Sequence, residues 1–352
     1  MRILITGICG FAGNAIARSL LAHVEGLKIF GIDNLCRRGS ETNLPALRKL
    51  GCTVQVADLR DPNVLALHEP VDWLIDAAAN PSVLAGLSTD SPSRELLDTN
   101  LFSTVAMLEF CRLHGATFTL LSTSRVYGIE ALRAIPLELQ GNAFRPVPGA
   151  SAYETGIPES FSSEPPLSLY GTSKFCAERL ALEYGSAFGF PVWINRCGVL
   201  AGAGQFGKAD QGIFSFWLHS WASKKPLRYL GFGGHGHQVR DCLHPEDLVP
   251  VLLRQAAAQD RAGRVPQVAN LSGGIQSARS LRELSEWCAD RFGAHAVATD
   301  TQERPFDLPW VVLDSSLAQK TWDWYPGRNM DSILEEIAGH AESNPQWLDL
   351  CG

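Results

Sequence analysis

The sequence predicts an α/β fold: a doubly wound parallel sheet with a smaller α/β domain after it. Three observations predict it. Short apolar runs alternate with helical periods through the first two-thirds of the chain, which is the pattern of a parallel sheet covered by helices on both faces. A glycine-rich turn separates the first run from the first helical period. Beyond about Gly198 the alternation gives way to long glycine-bearing loops, one holding Gly202, Gly204, Gly207 and Gly212 and another Gly231, Gly233, Gly234 and Gly236. Loops of that length in a compact protein more often bind than connect.

The elements follow in order. Arg2–Thr6 is a β-branched run and reads as the first strand. Phe11–His23 reads as a helix, with Ile16 and Leu20 four apart on one face. Residues 27–32, 53–56, 71–75, 117–122 and 192–195 read as further strands. Helical stretches fall between them, near 41–50, 91–114 and 170–188. The run Val268–Leu271 is expected to return to the sheet. At about 150 residues per domain, the 352 residues suggest two. Residues 1–197 would form the first, with a return segment near 240–272, and residues 198–352 the smaller one.

Composition narrows the class. The net charge of −7 lacks the basic balance that a nucleic-acid partner requires. The nine cysteines are scattered with no CxxC pair, so no metal site is expected, and reduced thiols in a cytoplasmic protein are the plain reading. His235, His237 and His244 have no metal-site spacing. The N-terminal run does not have the layout of a signal peptide, and no run is long enough to span a bilayer, so no membrane partner is expected.

The glycine-rich turn is Gly7-x-x-Gly10-x-x-Gly13, between the first strand and the first helix. Such a turn brings backbone N–H groups to a pyrophosphate at a helix N-terminus, where a side chain would block the approach. Asp33 stands twenty positions after Gly13, at the end of the second strand. Its carboxylate is suited to the ribose hydroxyls and repels a 2′-phosphate, so the first domain is expected to be a Rossmann-type NAD-binding unit. Arg37 and Arg38 lie close enough to leave NADP open. Asp58, after the third strand, either bonds the adenine amino group or caps the helix that starts near Asp61.

Tyr170 and Lys174 stand four apart on a predicted helix and share one face. An ammonium beside a phenol stabilises the phenolate, which can then take a proton from a substrate hydroxyl while hydride leaves for the nicotinamide. Thr123 ends the fifth strand, at the sheet edge where a ligand belongs, and can polarise the same oxygen.

Together, the glycine turn, Asp33, Thr123 and the Tyr170/Lys174 helix resemble the extended short-chain dehydrogenase/reductase family of nucleotide-sugar epimerases and dehydratases, over nearly the whole chain. The resemblance implies that Thr123, Tyr170 and Lys174 are catalytic. It implies that Phe11, Asn34, Arg37, Asp58, Leu59, Ala77, Ala78, Ala79, Asn100 and Cys197 line the cofactor groove with the glycines and Asp33. Asp76 departs from the histidine often found before those alanines. Segments 33–44, 204–206, 210–212 and 238–244 are similar to the branch that inverts C2 of CDP-linked deoxyhexoses. That branch oxidises C2 and reduces the ketone from the other face, and NAD stays bound. The resemblance puts Ser124, Gln205, Gln211, Arg240 and Arg304 toward the substrate, and a guanidinium at Arg240 fits a diphosphate. Gly204 and Pro309-Trp310 replace basic residues of that branch, so base or diphosphate recognition is expected to differ, and Ser124-Arg125 stand where that branch has a different polar pair.

Dehydratases of the family carry an acidic residue next to the catalytic threonine, whereas Ser124 and Arg125 stand here, so elimination of water is disfavoured. A nucleotide-sugar 4-epimerase, an NAD(P)H-dependent reductase and a non-catalytic NAD-sensing regulator are the alternatives. The regulator has no need of all three catalytic residues. Apolar residues on more than one face of the helices near 91–114 and 170–188 suit either a homodimer or homotetramer interface or ordinary packing on the sheet.

Overall fold

The computed structural model describes residues 1–351 except 62, 67, 89–90, 150–151 and 209–210. Asp210, in one of the substrate segments, therefore lies outside the described residues. In chain order the strands that matter here are β1 (Arg2–Thr6), β2 (Lys28–Asp33), β3 (Thr53–Val56), β4 (Trp73–Asp76), β5 (Thr117–Thr123), β6 (Val192–Cys197), β7 (Val199–Leu200), β8 (Val239–Leu243), β9 (Val268–Leu271), β10 (Ala278–Ser280) and β11 (Trp310–Val311). The large sheet runs β9-β6-β5-β4-β1-β2-β3, all parallel. The order reverses between β1 and β4, and the carboxyl ends of those strands form the crevice where such sheets bind ligands. A smaller sheet joins β7, β8 and β10, with β11 alongside β8.

Both faces of the large sheet are buried. In β1, Ile3 and Ile5 point to one layer with Ile16, Leu20, Trp193 and Trp322. Leu4 points to the other, with Leu74, Met107, Leu108, Phe118, Leu120, Ala177 and Ile194. This explains why these strands read as continuous apolar runs rather than as alternating ones. A third cluster joins Val126, Tyr127, Ile129 and Phe161 to Val239, Trp310 and Leu313, so the segment after β5 packs with the smaller sheet.

The helices used below are α1 (Phe11–His23), α2 (Asn43–Lys49), α3 (Ser103–His114) and α4 (Leu169–Phe188). α4 starts where the Ser168 hydroxyl accepts the Gly171 N–H at 3.0 Å, and it ends at Gly189 in the left-handed region.

Two expected helices begin later than their periodicity suggests. Residues 40–42 form a 3₁₀ turn before α2. The stretch expected as one helix over 91–114 opens instead with Ser91–Pro92 paired to Leu87–Ser88, runs as a helix over Ser93–Leu97, and widens to a π-helical turn over Asp98–Phe102 before α3. Pro92 has no N–H and holds an extended conformation, which delays the start. Asp33 and Thr123 end β2 and β5 as expected, whereas β6 runs past its expected end at residue 195 to Cys197, which pairs with Thr123.

Candidate active site

The turn after β1 is built on glycine for steric reasons. Gly7 has φ +63°, and a Cβ there would stand 2.9 Å from the Ala78 Cα. A Cβ on Gly13 would stand 2.3 Å from the Gly7 carbonyl oxygen. Gly10 differs: its Cβ would meet only the Gly7 oxygen, at 3.1 Å. Gly10 also precedes α1 in an extended conformation, so open space lies over first-turn N–H groups that have no helical acceptor. A dinucleotide pyrophosphate fits this cradle. The amide Nδ2 of Asn14, in the same turn, is buried without a partner. Gly13→Ala is expected to push the turn away from the helix. Overpacking of about 1–3 kcal/mol drawn from cofactor binding would lower NAD affinity about 5- to 150-fold. The NAD released on denaturing the purified variant measures this, and a wild-type content would refute it.

Asp33 sits at the end of β2, and its carboxylate accepts the Cys9 N–H at 2.8 Å and the Leu35 N–H at 2.8 Å. The carboxylate therefore abuts the glycine turn. Burial pushes its pKa up, and these backbone bonds oppose that. Asn34 donates to Asp58 at 3.2 Å. Asp58 is held mainly by Arg60, at 2.8 Å, which draws its carboxyl down to about 2. Arg37 donates to Gln211 at 2.9 Å and to the Phe206 carbonyl. Its guanidinium thus ties the cofactor side of the site to the substrate loop. Phe11 opens α1, where its ring tip lies 3.2 Å from a Cβ placed on Gly202, and half-buried Leu59 packs with the α3 face of the sheet.

Past β4, half-buried Ala77, Ala78 and Ala79 lead into Asn80. Thr6 accepts the Ala77 and Ala78 N–H groups at 3.2 and 3.3 Å and donates to Asp76 at 2.9 Å. Asn100, in the π-helical turn, accepts the Asn80 N–H at 2.7 Å and donates to Ser173 at 3.3 Å. Asn100 therefore ties the loop after β4 to the helix that carries Tyr170.

Tyr170 and Lys174 lie in the first turns of α4, both buried. The Tyr170 phenol lies close to the Thr123 hydroxyl at the end of β5. Burial raises the phenol's pKa, and the neighbouring Thr123 hydroxyl and Arg125 charge oppose the rise. Burial lowers the Lys174 pKa, against the charges of Asp76 and Glu178. Cys197 lies beside both residues, and burial pushes its thiol up to about 12. Gly171 makes this approach possible: a Cβ there would stand 2.2 Å from the Arg125 carbonyl oxygen. Sequence reasoning missed Gly171. It also missed Glu178, although Glu178 continues the spacing of Tyr170 and Lys174 by another four residues.

Beside this group opens a cavity lined by Gln211, Gln238, Arg240, Arg304 and two arginines the sequence did not single out for substrate, Arg125 and Arg279. Arg240 pairs with Asp307 at 3.1 Å, whereas Glu246 pairs with Arg328. Arg279 pairs with Asp331. Of the other substrate candidates, Gln205 turns its amide to the Leu200 carbonyl at 2.6 Å, and Ser124 is buried in the turn after β5. Neither is among the residues that line the cavity.

Residues 3–272 match the profile of the NAD dependent epimerase/dehydratase family. CDP-paratose 2-epimerase of Salmonella typhi is 27% identical over 339 residues, which cover 93% of this chain and 95% of that protein. UDP-glucuronate 4-epimerase of Thermodesulfobacterium geofontis is 24% identical over 98% of this chain and 97% of its own length. The solved structure of UDP-glucuronic acid 4-epimerase from Bacillus cereus with UDP-glucuronic acid and NAD superposes with a TM-score of 0.77 at 22% identity, covering 97% of this chain and 99% of that one. At that identity the likeness speaks for the fold.

Proposed function

The chain belongs to the NAD dependent epimerase/dehydratase family, and on that premise we propose that it inverts C2 of a CDP-linked deoxyhexose through a transient ketone, with NAD recycled in place. One observation supports this above the others. Tyr170 and Lys174 are buried in the first turns of α4, and the Tyr170 phenol lies close to the Thr123 hydroxyl at the carboxyl edge of β5, beside an arginine-lined cavity.

Gly7, Gly10, Gly13 and the first turn of α1 would hold the pyrophosphate, with Asp33 at the adenosine ribose. When bound, NAD supplies the acceptor and then the donor of hydride. The Tyr170 phenolate takes the proton of the sugar hydroxyl as that carbon loses hydride, and it returns the proton when hydride comes back to the opposite face. Thr123 bonds the same sugar oxygen. Arg240 and Arg304 face the diphosphate, where a guanidinium exchanges Asp307 for a phosphate at little electrostatic cost. Ser124 and Arg125 follow Thr123 where an acid that drives elimination would stand. Among the described residues lining the cavity, the carboxylate is Asp307, and it is engaged by Arg240.

CDP and C2 are favoured by the Salmonella typhi relative, which aligns over 93% of this chain. A UDP-sugar 4-epimerase is the second reading, favoured by the UDP-glucuronate 4-epimerase relative. Incubating the purified protein separately with CDP-paratose, UDP-glucuronic acid and UDP-glucose, with no added reductant, separates them. Inversion of CDP-paratose at C2, seen by NMR, is the expected result. Inversion of a UDP-sugar at C4 instead would replace it, and consumption of external NADH would point to a reductase.

No helix among the described residues is long and apolar enough to cross a membrane. A cytoplasmic homodimer or homotetramer built through α3 and α4 is consistent with the exposure of Leu113 on α3 and Leu180 and Phe188 on α4. Sedimentation of Leu113→Glu is the direct check, with a monomer expected.

A further inference from the structure

We infer that Arg37 serves the substrate and not the cofactor: its guanidinium fixes the side-chain amide of Gln211, so that the amide NH2 is presented to an acceptor on the nucleotide part of the substrate. This makes Arg37 a positioning residue that acts through Gln211. The role rests on the nucleotide-sugar site proposed above.

The geometry is a clasp on the loop that leads to the cavity. Arg37 stands four residues after Asp33, in the segment that follows β2. Its guanidinium donates to the Gln211 Oε1 at 2.9 Å and to the Phe206 carbonyl. Phe206 is buried between two other segments. Its ring lies 2.9 Å from a Cβ placed on Gly39, and it stacks on Trp347 with ring centroids 5.6 Å apart. The Trp347 indole N–H donates to the Gln205 carbonyl at 2.8 Å. Lys208 and Gln211 exchange backbone hydrogen bonds at 2.7 and 3.0 Å. The loop backbone is therefore held at Gln205, Phe206 and Gln211, and Arg37 sets the side chain that projects from it.

Chemistry decides which end of that amide is left for a ligand. A guanidinium only donates, so the group it bonds is the amide oxygen. The NH2 has no hydrogen-bond partner among the described residues, and Gln211 lines the cavity. What Gln211 offers there is thus a fixed donor, whose rotamer entropy is already lost before a ligand arrives. The cavity has two unlike walls. Ile213, Phe214 and Leu284 belong to one apolar cluster with Val199. Arg125 is bonded to Phe306 and Arg240 to Asp307 on the other side. An apolar wall suits the face of a base, and a guanidinium wall suits a diphosphate. Gln211 lies two residues before Ile213, where the apolar wall begins, whereas Thr123 and Tyr170 are not among the residues that line this cavity. Its donor is therefore placed for the nucleotide and not for the reacting sugar carbon. Cytosine and uracil both carry a carbonyl acceptor, so the clasp works with either base.

The test titrates the NAD-loaded protein with CDP and with UDP by calorimetry, and it needs no sugar. The tighter nucleotide is the probe for the variants. A preference for UDP would count against the proposed base and leave this inference intact. Gln211→Met is expected to weaken nucleotide binding about 5- to 10-fold, and Arg37→Met by a similar factor. Arg37→Ala is the second neutral variant and should match Arg37→Met. The double variant, Arg37→Met with Gln211→Met, should bind no more weakly than Gln211→Met, because residues that act through one contact are not additive. The NAD released on denaturation should equal wild type in every variant. Losses that multiply in the double variant overturn the inference, since Arg37 would then act independently of Gln211. An unchanged nucleotide affinity in both neutral Arg37 variants overturns it too, and so does a fall in their NAD content. A wild type that binds neither nucleotide overturns it together with the proposed function.

Discussion

Tyr170→Phe is expected to lower sugar epimerisation by about 10²–10⁴-fold while NAD stays bound. The ring is buried in α4, so the phenylalanine keeps the packing and loses the hydroxyl that meets Thr123. Proton transfer fails in both half-reactions. The pyrophosphate cradle around Gly7 and Gly13 does not involve this side chain, so the NAD content after denaturation should match wild type. The wild-type pH dependence has a definite sign. The phenol must be ionised to act as base, and burial raises its pKa, so turnover should climb with pH through the neutral range until Tyr170 is deprotonated. A variant that retains more than about a tenth of wild-type turnover would remove Tyr170 from the chemistry.

Glu178→Gln should cause the largest loss of stability, about 3–5 kcal/mol. Glu178 and Arg196 are fully buried and bonded at 2.7 Å. Without the carboxylate, Arg196 is a buried charge whose remaining hydrogen bonds among the described residues are to neutral groups, the Tyr127 hydroxyl and the Glu159 carbonyl, both at 3.3 Å. Glu178 also accepts from Ser122, the residue before Thr123, at 2.5 Å. The pair therefore sets the register between the helix of Tyr170 and the strand of Thr123, and turnover should fall along with stability. Chemical denaturation measures the loss. A double variant, Glu178→Gln with Arg196→Met, should recover part of it, because removing both partners leaves no orphaned charge. Destabilisation of the single variant below about 1 kcal/mol would mean that the pair behaves like a surface ion pair.

Much of the fold is legible because its signals are local. β1, α1 and β3 fall on the residues their periodicity marks. The first glycine turn is legible because a strand, three glycines and a helix fall within a single turn's reach, and Asp33 because it closes the next strand. Departures occur where a non-local partner extends an element, as Thr123 does for Cys197, or where a local feature interrupts one, as Pro92 does before Asn100. Arg37 illustrates the limit for the site. Its place in the chain suggests the cofactor, but its guanidinium reaches Gln211, 174 positions away.

By itself, the sequence determined the class of sheet, the glycine cradle and the Tyr170–Lys174 spacing, since each depends on residues within a few turns of one another. Tertiary structure alone decided the neighbours of those residues. The β5–β6 pairing puts Cys197 beside Thr123, and Glu178 is locked to Arg196 across the core. The close approach at Gly171 brings the backbone of the turn after β5 against the helix of Tyr170, and burial there raises the phenol's pKa. The physical reason is that a charge acts through distance and burial, and neither quantity exists until strands far apart in sequence lie side by side.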